Sequence, residues 1–156
     1  GNLSTLIAIM QYKGGVLGRD EIRSILEVRR ALEHLAAERA IRYASDEALD
    51  RLASALAQIA AAPSAEQAAE SAFEFQHELA LVGGNSIVPL IYYSFQSPVI
   101  TLWVRFCNLH GIPALVHNTQ ILYTFIRDRD EAGASRWIDT YLEQAISGSQ
   151  QIYEFR

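Results

Sequence analysis

Apolar residues recur along this chain three and four positions apart, and no window alternates apolar and polar positions as a half-buried strand does. The pattern predicts an all-α fold, an antiparallel bundle of six to seven helices. Leu3 to Tyr12 reads as a short helix, broken by Lys13-Gly14-Gly15 and Gly18. From Arg19-Asp20 to Tyr43, Ile22, Ile25, Leu26, Leu32, Leu35 and Ala36 form one stripe of a helix about 36 Å long. Ser45 caps a second long helix, with stripe Leu49, Leu52, Leu56 and Ile59, that closes at Ala62-Pro63. Ser64, with Gln67 three residues later, opens another that runs to Leu81 or Val82 and stops at Gly83-Gly84-Asn85. Pro89 suits the first turn of the next, from near Ser86 to about Gln96. Pro98 predicts a break and a new helix through Leu109. His110-Gly111-Ile112-Pro113 makes a turn, a helix reaches Arg127, and the last runs from about Asp130 to the C-terminus.

Composition narrows the classes. At 156 residues, half of them apolar, the chain can bury a core without disulfides or metal, and residues 1–156 read as one ligand-binding and dimerisation domain. Residues 1–18 form its linker helix and Gly-rich turn, and 19–156 its bundle. A formal charge of −5 with dispersed basic residues argues against binding nucleic acid through this chain alone. The lone Cys107 sits in an apolar run and reads as a core thiol in a reducing compartment. No stretch reaches the roughly 18 apolar residues of a membrane span, nor is there a secretory signal pattern, so a cytoplasmic location is expected. The chain opens at Gly1 without an initiating Met, as expected of a piece of a longer protein.

Candidate chemistry is sparse. The four histidines show no ligand spacing, there is no nucleophile elbow or phosphate loop, and Glu74 and Glu78, four apart, read as a solvated face. Neither a catalytic residue nor a cofactor is expected. Of Arg29 and Arg30 only one can face the core, where it would either clamp a carboxylate or phosphate or pair with Glu33 or Glu27 on the surface. Arg105, between Val104 and Phe106, is paired internally, exposed, or poised for an anionic ligand. The aromatic residues Tyr92, Tyr93, Phe95, Trp103, Phe106, Tyr123 and Phe125 suit the core, and some suit the wall of an apolar pocket.

Three segments in order resemble the C-terminal effector domain of GntR-family regulators, in particular its FadR-like (FCD) branch. Ile25-Leu26-Glu27-Val28-Arg29 sits early in the first long helix, as the family's Leu-Leu-x-x-Arg does. Phe75-Gln76-His77-Glu78-Leu79-Ala80-Leu81-Val82-Gly83-Gly84-Asn85 looks like its Phe-His-x-x-Leu-Ala-x-Ala-Ser-Gly-Asn. Two terminal helices flank Arg127-Asp128-Arg129-Asp130, where the family carries a Gly-Asp turn. Gly1-Asn2-Leu3-Ser4-Thr5-Leu6 is similar to the linker that follows the winged helix.

The resemblance implies a helical homodimer that binds an acyl-coenzyme A or small organic acid and alters DNA binding by an N-terminal winged helix-turn-helix absent from this sequence. Many relatives hold a metal through an Asp and three His, and the matching positions here carry Ala72, Gln76, Thr119 and Tyr141, so no metal is expected. The implied ligand-binding set is Arg29, Gln76, Asn85, Arg105, Thr119 and Tyr141. The leading expectation is an anionic effector with an apolar portion, such as a fatty acyl-coenzyme A. The alternatives are a metal-independent sensor of a small organic acid and a ligand-free dimerisation module. An apolar cavity with one arginine at its mouth favours the first, a small polar cavity the second, and a filled core the third.

Overall fold

The computed structural model describes residues 18–152, which contain seven α-helices and no strand. They are α1 (Arg19–Tyr43), α2 (Asp46–Ala61), α3 (Ala65–Val82), α4 (Val88–Ser94), α5 (Gln96–His110), α6 (Ile112–Arg127) and α7 (Glu131–Ile146). The helix expected over Leu3 to Tyr12 and its Gly-rich break lie outside the described residues.

Local chemistry sets most boundaries. Ser45 Oγ accepts from Ala48 N at the start of α2, Ser64 Oγ from Gln67 N at α3, and Asp130 Oδ1 from Gly133 N at α7. Gly84 and Gly111 adopt positive φ, 75° and 93°, where the chain reverses after α3 and α5. The break expected at Pro98 falls earlier, at Phe95, which leaves Pro98 in the first turn of α5, where its missing N–H removes no helix bond. Similarly, α4 starts at Val88 instead of Ser86, because the Asn85 side chain accepts from the backbone N–H groups of Ile87 and Val88. The last helix stops at Ile146, short of the C-terminus. The chain turns back through Gly148, and Ile152 N donates to Ala145 O at 3.1 Å.

The centre of the bundle is α3, which packs against α1, α2, α4, α5 and α6, while α7 closes onto α1 and α6. Its buried residues, among them Ala68, Ala69, Ala72, Phe73, Phe75 and Leu79, cover well over one stripe, as a helix surrounded by neighbours requires. The alanines let those neighbours approach closely. Cys107 is a buried core thiol, its pKa pushed up to about 11 by burial and, secondarily, by Glu66.

One register differs from the sequence expectation. Leu35 is partly exposed and Leu32 only half-buried, whereas Arg29 and Glu33 lie inside. The inner line of α1 therefore runs Ile22, Leu26, Arg29, Glu33, Ala36, Ala40, with an ion pair in its middle.

Candidate functional site

Next to that ion pair, α1, α3, α5, α6, α7 and the returning C-terminal segment line a partly open cavity of about 40 Å³. Arg29, Gln76, Thr119 and Tyr141, four of the six residues singled out in the sequence, line it together. Each is buried, and apart from Arg29, which shares its line with Glu33, each stands on an otherwise apolar stripe. Gln76 sits between Phe73 and Leu79, Thr119 between Leu115 and Leu122, and Tyr141 between Ile138 and Ala145. The remaining wall is largely apolar, with Leu102, Trp103, Phe106, Leu115 and Leu122 prominent.

The electrostatic centre is Arg29 with Glu33, 6 % and 1 % exposed. Arg29 Nε donates to Glu33 Oε2 at 2.8 Å, and the guanidinium carbon lies 4.5 Å from the Trp103 ring centroid. The second Glu33 oxygen accepts the Tyr141 hydroxyl. Burial pushes the Glu33 carboxyl above its ordinary value, and Arg29 offsets only part of that rise. Tyr92, buried and stacked on Phe73 at 5.0 Å, is raised well above the ordinary phenol value by burial and then by Glu33. Arg29 thus combines the two options open in the sequence: it pairs with Glu33, but in the interior, and it faces a cavity.

The other polar groups have free hydrogen-bonding capacity. The Thr119 hydroxyl donates to Leu115 O at 2.8 Å, which leaves its oxygen to accept. Gln76 Oε1 is buried without a hydrogen-bond partner, which marks it as a group awaiting a ligand or water. At the rim, Asn118 O accepts from Trp137 Nε1 at 2.9 Å, and Asn118 Nδ2 donates to Gln150 Oε1 at 3.0 Å. The latter bond holds the segment that carries Ile152 over the cavity.

Asn85 and Arg105 do not line the cavity. Asn85 caps the start of α4, so its side-chain oxygen is already used by the backbone. Arg105 is half-buried on α5, and desolvation lowers its pKa. Asn118 and Ile152 in the cavity wall, and Glu33 behind it through Arg29 and Tyr141, were not among the residues expected there. Glu33 carried one signal, its position four residues after Arg29; the other two carried none. His77 stacks near Phe73 instead of reaching the cavity.

The four positions that match the family's metal ligands do not form a metal site. Ala72 has no donor atom, Gln76 and Thr119 are neutral oxygen donors, and the Tyr141 hydroxyl is engaged by Glu33. The Arg29 cation stands at the same cavity. Among the described residues no three His, Cys, Asp or Glu side chains come together in a metal-binding group. No single described helix is long and apolar enough to cross a membrane.

Compared with known protein families, residues 24–144 match the FCD domain. No curated protein matches the chain.

Proposed function

The chain belongs to the FCD family, the C-terminal effector domain of GntR-family regulators, and from that premise we propose that it senses a small organic acid in the cavity between Arg29 and Tyr141. The carrying observation is the convergence of Arg29, Gln76, Thr119 and Tyr141, from four helices, on one cavity in which, among the described residues, Arg29 is the one cation. An arginine facing a narrow, mostly apolar space is suited to orient a carboxylate through paired N–H donors while the body of the acid contacts Trp103, Phe106 and Leu122. Size favours a small acid over an acyl-coenzyme A. A water needs about 10–15 Å³ of such space, and drug-sized ligands occupy about 300–1,000 Å³, so 40 Å³ suits a few heavy atoms.

In this reading the domain is non-enzymatic, acts in the cytoplasm as a homodimer, and passes the ligand's effect to DNA through a winged helix-turn-helix outside this sequence. Coupling follows if the acid binds one dimer geometry more tightly than another. α1 and α7, which hold Glu33 and Tyr141, are the elements whose packing the ligand would bias.

The test is calorimetry and native mass spectrometry of the chain with acetate, propionate, butyrate, malonate, succinate and palmitoyl-coenzyme A. Saturable binding of at least one small acid, weakened about tenfold or more by Arg29→Lys through loss of the planar fork, is expected. Retention of palmitoyl-coenzyme A without any small acid would return the reading to an acyl sensor, and no binding would leave dimerisation.

A further inference from the structure

The Arg29 charge facing the cavity is already neutralised. Glu33 holds its Nε at 2.8 Å, Tyr141 holds the other carboxylate oxygen, and Glu33 is 1 % exposed. Glu33 therefore cannot turn to water unless α1 parts from α7. The remaining polar lining, Gln76, Asn118 and Thr119, is uncharged. An acid anion entering this space would place a second carboxylate against one guanidinium and leave a net negative charge in a desolvated interior.

On the reading proposed above, we infer that the cavity takes up a monocarboxylate together with one proton, and that Glu33 enforces this: the ligand carboxylate takes the unshared edge of Arg29 while Glu33 becomes a neutral carboxylic acid. The balance is simple. One carboxylate and one proton enter from solvent, no covalent bond other than the new O–H is made, and the site stays neutral. The neutral Glu33 then has an O–H to donate to the oxygen of Tyr141, whose hydroxyl it already meets. Gln76 Oε1 is an acceptor and cannot meet the carboxylate directly; only the NH2 end of that amide, turned toward the head group, can donate to it. A dicarboxylate would bring a second charge for which the lining has no cation, so the site selects against it.

The groups around Glu33 allow this assignment. Arg29 and His34 act on it from its own helix, Tyr141 from α7 and Tyr92 from α4. Burial pushes the Tyr92 phenol further toward its neutral form. The side chains that α3, α5 and α6 bring to the cavity, Gln76, Trp103 and Thr119, do not titrate. The high pKa that burial gives Glu33 already lies in the direction that proton uptake requires.

The decisive experiment titrates propionate and succinate into the wild-type chain and Glu33→Gln, in two buffers of different ionisation enthalpy. For propionate and wild type, uptake of about one proton and an affinity that falls about tenfold per pH unit between about pH 6.5 and 8 are expected. Glu33→Gln should bind propionate without proton uptake and with a flat pH profile, more tightly than wild type at the alkaline end. Succinate should bind wild type at least tenfold more weakly than propionate. The buffer comparison on wild type alone suffices should Glu33→Gln fail to fold. Propionate binding with no proton uptake, or succinate binding as tightly as propionate, overturns the inference and leaves the acid-sensor reading standing. If neither acid binds either protein, the sensor reading fails and the inference with it.

Discussion

At the scale of single residues, the energetics of this interior turn on Arg29, Glu33 and Tyr141. A buried ion pair is weak evidence for stability, but removing one member leaves an uncompensated charge. Arg29→Met should therefore cost about 3–5 kcal/mol in urea denaturation. Adding Glu33→Leu and Tyr141→Phe should recover most of it, since none of the three positions then leaves a polar group that has lost its partner. A combined variant as unstable as the single one would mean that the pair itself holds the fold together. The sign of the pH dependence follows from Glu33. Its folded pKa is raised, so its contribution to stability is fully present below the ordinary carboxylate value and is lost as the pH rises through the folded value. In Arg29→Met the opposing effect of the guanidinium is gone and the folded value climbs further. The stability of that variant should fall more steeply than wild type between about pH 5 and 8.

Between elements, Arg129 joins α1 to the turn between α6 and α7. Its φ of 59° lies in the left-handed region that favours glycine. A side chain there costs about 1–2 kcal/mol. What offsets the cost is capping: Nη1 donates to Ala40 O at 3.4 Å and Ile41 O at 2.8 Å, and Nη2 to Ala44 O at 2.7 Å. These carbonyls at the end of α1 have few other partners, and a cation at a helix C-terminus is also favoured by the dipole. Arg129→Ala keeps the strain and loses the caps, and should lower stability by about 2–3 kcal/mol. Arg129→Gly should lose about 1 kcal/mol less. Thermal melts of the two variants side by side check the argument, and equal losses would mean that the backbone conformation carries no penalty.

For the whole molecule, the unexplained surface is α4 and its approach. Ile87, Leu90 and Tyr93 are 57 %, 65 % and 55 % exposed, with Ile91 beside them at 37 %. Single exposed apolar residues need no explanation, but four within seven positions are a candidate subunit contact for the proposed homodimer. Leu90→Glu should convert the dimer to a monomer in light scattering coupled to size exclusion, with helical content unchanged. A dimer that survives Leu90→Glu together with Tyr93→Glu would place the contact elsewhere. α4 packs on α3, the helix that carries Gln76, so a contact there would lie close to the cavity.

The sequence by itself determined the elements and pointed to four residues that line one cavity. The serine and aspartate caps, the glycines at reversals and the three-to-four spacing of apolar residues act over a turn or two, so α1, α2, α3 and α6 are legible within a residue or two. Residues such as Gln76 and Thr119 stand out as polar positions within buried stripes. The tertiary structure decided the rest. Which side of α1 faces inward depends on what it packs against: Glu33 belongs inside because Tyr141, more than a hundred residues later, arrives opposite it. Asn85 and Arg105 satisfy the same pattern or charge argument, yet lie off the cavity, since residue type does not fix the path of a chain between helices. The cavity's size is a difference between the volume the helices enclose and the side chains that fill it, and no local pattern encodes that difference.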